Sequence, residues 1–256
     1  MKLGEVFTDA EVARLYRRRP TYPPETFEIL DRLMVEPRVV LDVGAGTGAV
    51  ARRLLRYAAR VDAVDPSAAM VAEGRRLPGG DDRRLRWIAG PAESAPLDPP
   101  YGLITAGTSL HWMDLDQVIP RFAAALAPGG KLAILEVVET PIGPTPWNEA
   151  ATEIIKEYSE LKADRVDSFG AVLTDLEARS LFARDGDQVT RPTRTTLSVS
   201  DWLEWMHSTS TLARVRLGDR AARFDADLRA LFDRLGLVKF EFEIQGRVVW
   251  GRPVAP

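Results

Sequence analysis

The sequence predicts an α/β fold: a doubly wound, mostly parallel seven-stranded sheet of Rossmann-like type, with an antiparallel C-terminal strand and a helical cap. Three observations predict it. Between residues 39 and 138, short apolar runs rich in β-branched residues alternate with helical stretches, the rhythm of βαβ units on a buried parallel sheet. The first run opens into a glycine loop, "VVLDVGAGTGAV", at residues 39–50. The chain closes with "VKFEFEIQGRVVWGRP", two alternating runs joined near Gln245–Gly246, which read as a hairpin and supply the antiparallel ending.

The elements follow in order. Residues 9–18 form a short helix capped by Thr8 or Asp9, and Pro24 sits at the first position of a second helix reaching Met34. Val39–Val43 is a strand, Ala49–Tyr57 a helix, Arg60–Val64 a strand and Ser67–Arg76 a helix. A strand at Leu85–Ala89 leads into the loop "GPAESAPLDPP". A strand at Leu103–Ala106, a helix at Leu115–Leu126 and a strand at Lys131–Val138 complete the alternation. The proline-rich "ETPIGPTP" then changes the rhythm. Helices are expected over 147–161, 174–183, 200–217 and 220–235, with one alternating strand over 188–197. The organisation is therefore N-terminal cap helices at 1–35, a nucleoside-binding core at 36–140, a helical cap with one core strand and helix at 141–217, and a closing helix and hairpin at 218–256.

Composition narrows the function. A length of 256 residues suits one large α/β domain with a lid. The net charge of −3, from 34 basic and 37 acidic residues, gives no footprint for nucleic acid or an anionic membrane. With no cysteine there is no disulfide, thiolate metal site or cysteine nucleophile, and two histidines, His111 and His207, make a metal centre improbable. The N-terminus lacks the apolar stretch of a secretory signal, and no apolar run approaches the ~20 residues of a spanning helix. A cytoplasmic protein acting on a small molecule is expected.

The loop fits two ligands. Gly44, Gly46 and Ala49 satisfy the dinucleotide fingerprint, and the same letters also read as a nucleoside loop with Asp42 two residues upstream. A pyrophosphate needs bare N–H groups with no carboxylate beside them, so Asp42 is a cost there. S-adenosylmethionine carries an ammonium, which Asp42 suits, while loop amides would face its carboxylate. Asp65, at the end of "VDAVDPSAAM" and 17 residues after Gly48, is placed to accept both ribose hydroxyls; as a competing reading, it caps the helix that starts at Ser67.

"VVLDVGAGTG", "VDAVDPSAAM", "AGPAESAPL", "ITAGTSLHWMD" and "ALAPGGKLAILE" together resemble, in order and spacing, the class I S-adenosylmethionine-dependent methyltransferases. The likeness is greatest to the small-molecule branch that includes the trans-aconitate and ubiquinone/menaquinone types, and it covers roughly residues 10–140. The resemblance implies S-adenosyl-L-methionine as methyl donor. It places Gly44, Ala45, Gly46 and Gly48 along the amino-acid part, Asp65 on the ribose and Ala92–Glu93 beside the adenine; Asp42, Pro66, Met70, Pro91 and Gly107 complete the set of candidate donor-binding residues. Pro91 stands where that family usually has an acidic residue, and Gly102 where it usually has Asp.

"TSLHWMD" follows the fourth core strand, so His111 is the candidate general base; packing of His111–Trp112 under the next helix is the alternative. In "LYRRRPTYP", Tyr16 and Tyr22 are candidates to cover the donor's methionine end, with Arg19 on its carboxylate. Trp202 and Trp205 share a helix face and read as core or as the wall of an acceptor pocket. Two other functions stay open: a methyltransferase fold that binds ligand without catalysis, and an NAD-dependent oxidoreductase. A DNA-amino methyltransferase is disfavoured because "TSLHWMD" occupies the place of an Asn-Pro-Pro-Tyr-type motif.

Overall fold

The computed structural model describes residues 3–143, 145–159 and 168–255. In chain order the helices are α1 (Ala10–Leu15), α2 (Pro24–Leu33), α3 (Ala51–Leu54), α4 (Ala68–Arg76), α5 (Leu115–Ala125), α6 (Pro146–Tyr158), α7 (Ser168–Ala178), α8 (Val199–His207), α9 (Arg214–Leu217) and α10 (Arg220–Arg234). The strands are β1 (Val39–Val43), β2 (Arg60–Asp65), β3 (Leu85–Ala89), β4 (Tyr101–Gly107), β5 (Leu126–Pro141), β6 (Phe182–Val189), β7 (Thr193–Ser198) and β8 (Lys239–Pro253). The chain divides into two compact units. One is drawn from Met1–Pro20, Glu139–Val166 and Pro192–Ile244, the other from Thr21–Val138, Asp167–Arg191 and Gln245–Pro256.

The second unit holds the expected α/β core. The sheet runs in the order β3-β2-β1-β4-β5-β8-β6, a seven-stranded path with β7 added beside β8. The pairs β1–β2, β1–β4, β2–β3 and β4–β5 are parallel, whereas β8 is antiparallel to both β6 and β7. β1 and β2 are buried almost throughout, as β-branched runs covered on both faces must be. On one face Leu41, Ile104, Phe122 and Phe182 form a core; on the other Val40, Leu54, Val61, Leu103 and Val248 form a second. Parallel β1, β2 and β4 all point their C-terminal ends to one edge, which is where open α/β sheets bind ligands.

The first unit contains α1, α6, α8, α9, α10 and β7. Its centre is aromatic: Trp147, Trp202, Phe232 and Phe240 lie edge-on or tilted at centroid separations of 4.6–6.4 Å. Trp147 and Trp202 are buried, so in this unit the core reading of the tryptophans holds over the pocket reading. Trp205 packs on Phe242 at 5.9 Å. His207 is fully buried, with Nδ1 2.7 Å from the Leu212 carbonyl and Nε2 2.7 Å from Asp225.

Several expected boundaries differ from the structure. The terminal hairpin is one continuous strand. Gly246 is not in the left-handed region a two-residue hairpin turn requires; instead, its missing side chain makes room for Thr26 and Pro23. The expected 188–197 strand is two strands, because Pro192 has no N–H to offer the ladder. Opposite that break, Thr190 N–H donates to the Gly246 carbonyl and Gly246 N–H to Thr190 Oγ1. The expected 174–183 helix lies earlier, at α7, and ends where Ser180 takes a φ of 55° and Leu181 N–H reaches back to Leu176 O. The 200–217 helix stops at His207 and resumes at Arg214, and the 49–57 helix is only the single turn α3. Residues 160 and 161 of the expected 147–161 helix lie outside the described residues.

Candidate active site

The site is built on the ends of β1, β2 and β4. After Val43 the chain turns through Gly44, Gly46 and Gly48, whose φ angles of 63°, 56° and 76° lie in the region only glycine enters without strain. Two of these glycines also have no room for a side chain. A Cβ at Gly44 would strike Ser109, with Met113 Cε at 3.3 Å, and one at Gly48 would come within 2.7 Å of the Trp87 ring. The loop is thus held from behind by a serine and an indole. Ser109 Oγ also donates to the Val43 carbonyl at 2.7 Å.

Asp65 ties the loop to the next helix. One oxygen accepts from Gly46 N–H at 2.7 Å and the other from Ser67 N–H at 2.8 Å, while Ser67 Oγ caps α4 by accepting from Met70 N–H. The helix-capping and ligand-facing readings of Asp65 are therefore not exclusive, since each carboxylate oxygen has a second lone pair. Burial pushes the Asp65 carboxyl above its ordinary value, against the pull of the two amides.

Asp42 is 1% exposed, below the loop. Its oxygens accept from Thr105 Oγ1 at 2.8 Å and from Ala51 N–H at 3.1 Å, which anchors the start of α3 to β4. Burial raises its pKa to about 7. The structure therefore gives Asp42 a latch's position beneath the loop. The loop amides differ from expectation too. Ala45 N–H donates to Val64 O, Gly46 N–H to Asp65 and Gly48 N–H to Ala45 O, so these three are engaged inside the protein. The loop offers close approach along a surface without side chains. It is a poor cradle for a pyrophosphate, which needs free amides and no nearby carboxylate.

The remaining candidates in this unit are placed as follows. Met70 and Ala92 are buried, and Pro66 and Pro91 are exposed. The Glu93 carboxylate accepts from Asp114 N–H at 2.9 Å, and Arg121 donates to the Glu93 and Ala95 carbonyls, so the 91–95 turn is pinned to the start of α5. Gly107 ends β4, where a Cβ would meet the Tyr22 hydroxyl at 2.9 Å. Thr108 follows with a φ of 50°, a strained value for a β-branched residue and of the kind that clusters at functional sites. His111 lies in the short 3-10 turn Leu110–Trp112, its ring 4.6 Å from that of Trp112, and burial depresses its pKa. It lines a small cleft together with Thr108, Ser109, Leu110, Ile134 and Phe169. Tyr16 and Arg19 belong to the other unit. There the Arg19 guanidinium stacks 4.1 Å over the Tyr16 ring and donates to Ser208 Oγ at 2.9 Å and Ser208 O at 2.6 Å. Sequence reasoning passed over Ser109, Thr105 and Trp87. Their only signal was a small or bulky residue at a strand end, which acquires meaning once the glycine φ values are known.

Comparison with known proteins agrees with this geometry: residues 40–130 match the methyltransferase domain family. Among curated relatives, an uncharacterized methyltransferase of Mycobacterium tuberculosis is 36% identical over 152 residues, 59% of this chain and 59% of that protein. The trans-aconitate 2-methyltransferase of Delftia acidovorans is 36% identical over 145 residues, 52% of this chain and 48% of that enzyme. The chain thus spans 59% or less of the length of these two relatives. A solved structure from Anaeromyxobacter dehalogenans superposes with a TM-score of 0.65 at 22% identity, covering 91% of this chain and 97% of that one. The [4+2]-cyclase SpnF superposes with a TM-score of 0.51 at 21% identity, covering 90% and 80%. These two likenesses establish the fold. Among the described residues, no helix is long and apolar enough to cross a membrane, and no cluster of His, Cys, Asp and Glu could hold a metal.

Proposed function

We propose that this chain is a cytoplasmic S-adenosylmethionine-dependent methyltransferase that methylates an O, N or C nucleophile of a small molecule. The observation that carries the reading is the clasp of Asp65 on Gly46 and Ser67, set against three left-handed glycines. That clasp presents a carboxylate for a ribose beside a side-chain-free surface for an amino-acid chain. The match of residues 40–130 to the methyltransferase domain supports it, as do relatives bearing methyltransferase names.

These residues fit the donor. Gly44, Ala45, Gly46 and Gly48 lie along its amino-acid part, with Asp42 fixing the loop from beneath. Asp65 takes the ribose hydroxyls, with Pro66 and Met70 at the same strand end. The Pro91–Ala92–Glu93 turn flanks the adenine, and Gly107 leaves room at the end of β4. When bound, S-adenosylmethionine supplies an already activated methyl, so the protein's task is alignment and exclusion of water. His111 holds a neutral imidazole ready to receive the acceptor's proton. The net charge of −3 favours a small acceptor over nucleic acid.

The test is transfer of a labelled methyl from S-adenosylmethionine to a panel of small hydroxyl, amine and carboxyl compounds, in wild type and Asp65→Ala. Transfer abolished by Asp65→Ala supports the reading. Donor bound without transfer to any acceptor class favours a methyltransferase fold that only binds, and the superposition on a [4+2]-cyclase shows that the fold alone does not fix the chemistry.

A further inference from the structure

We infer that the donor site reads its purine at ring nitrogen N1, through the amides of Ala92 and Glu93, and does not read the 6-amino group. Pro91 is the residue that sets this selectivity. The inference rests on the donor reading above and deepens it.

Position comes first. Asp65 and Ala89 are register partners in the parallel pair β2–β3, and Gly90 N–H donates to the Asp65 carbonyl at 2.9 Å. A ribose held on the Asp65 carboxylate therefore carries its base over the end of β3, where the chain turns through residues 91–95. The edge of a purine farthest from the ribose carries N1 and the 6-amino group, so this is the edge the turn meets. The turn itself is braced. Ser94 and Ala95 N–H donate to the Pro91 carbonyl at 3.1 and 2.9 Å. Arg121 donates to the Glu93 and Ala95 carbonyls, and Asp114 N–H donates to the Glu93 carboxylate at 2.9 Å.

Polarity comes second. Among the described residues, the N–H groups of Ala92 and Glu93 have no acceptor, and Ala92 is 4% exposed. A buried amide without a partner is costly, so a turn braced in that state suits an acceptor that arrives with the ligand. Purine N1 is such an acceptor, with an in-plane lone pair and no proton. The 6-amino group is the opposite, a pair of N–H donors in need of an acceptor. Pro91 has no side-chain acceptor to give it, and the one carboxylate of the turn, Glu93, is drawn to the start of α5 by Asp114 N–H. The turn thus offers two donors and no free carboxylate. That pattern selects an unprotonated ring nitrogen and is indifferent to the exocyclic amine.

The experiment measures affinity on the full chain, by calorimetric titration with three ligands that differ at one edge of the base. They are S-adenosylhomocysteine, its 6-deamino analogue and S-inosylhomocysteine. The deamino base keeps N1 as an acceptor, whereas the inosine base carries a proton there and sets a donor against a donor. The deamino analogue is expected to bind within about threefold of S-adenosylhomocysteine, and the inosine analogue at least about tenfold more weakly. Pro91→Asp installs a free carboxylate at an exposed position. It is expected to raise the preference for S-adenosylhomocysteine over the deamino analogue to at least about fivefold. A deamino analogue about tenfold weaker in wild type would put an acceptor at the amino group and overturn the inference. So would an inosine analogue bound as tightly as S-adenosylhomocysteine, or a preference in Pro91→Asp equal to that of wild type. Each of these results leaves the donor reading standing, because S-adenosylhomocysteine still binds. Failure of S-adenosylhomocysteine itself to bind wild type overturns the donor reading, and this inference with it.

Discussion

Asp42 and Gly48 show what single residues do under the donor loop. Asp42 has lost its water and accepts two hydrogen bonds, and the loss wins: its carboxyl titrates near 7. In the unfolded chain an aspartate titrates near ~3.9, so between those values the folded state binds the extra proton. Stability from this group therefore falls as pH rises from about 4 to about 7 and is level above that. Asp42→Asn keeps both contacts, with Oδ1 accepting from Ala51 N–H and Nδ2 donating to Thr105. Urea unfolding of this variant is expected to show a flatter pH dependence than wild type across that window; an unchanged slope would refute the assignment. Gly48→Ala meets both a φ of 76° and the Trp87 ring. It is expected to cost about 1–3 kcal/mol by denaturation and to weaken S-adenosylhomocysteine binding, because the strain falls in the loop itself.

At the scale of elements, a polar knot ties the beginnings of β2, β3 and β4. The fully buried Asp62 accepts from Arg86 at 3.0 and 2.7 Å and from the Tyr101 hydroxyl at 2.7 Å, while Tyr101 Oη accepts from Asp98 N–H. Tyr101→Phe is expected to cost about 1–3 kcal/mol by chemical denaturation, with little effect on ligand affinity because the knot lies at the strand ends opposite the loop. A second prediction concerns β8. Gly246→Ala collides with Thr26, whose buried Oγ1 has no hydrogen-bond partner among the described residues. Thr26→Ala is expected to be close to neutral and to relieve most of the loss in Gly246→Ala, giving a coupling of about 0.5–3 kcal/mol in a double-mutant cycle. Additive losses would place the cost of Gly246→Ala elsewhere.

The same elements show what the sequence disclosed. β1 and β3 are legible to the residue because their apolar runs end at polar or glycine breaks, and α4 because Ser67 is a good cap. The terminal hairpin was misread because alternation has the same period in one long strand as in two short ones, and Gly246 serves a close approach rather than a turn. The 188–197 alternation runs through Pro192, whose missing N–H the sequence shows; the pairing with β8 sets how far the break extends, from Val189 to Thr193. In the site, the glycines and Asp65 could be found from spacing. The engagement of the loop amides, the burial of Asp42 and the wall formed by Ser109 depend on contacts distant in sequence, such as that between residues 43 and 109.

For the whole molecule, the donor loop, Asp65, the 91–93 turn and His111 all belong to one compact unit, so donor binding should stabilise that unit. At 100 times its Kd, S-adenosylhomocysteine should add about 2.7 kcal/mol to unfolding, read as a rise in Tm. The measurement that bears most directly on the central claim is calorimetric titration with S-adenosylhomocysteine beside NADH, on wild type and Asp65→Ala. The account predicts micromolar binding of S-adenosylhomocysteine to wild type, on the order of −8 kcal/mol, a loss of at least about tenfold in Asp65→Ala, and no binding of NADH. Binding of NADH alone, or S-adenosylhomocysteine affinity indifferent to Asp65, would contradict it.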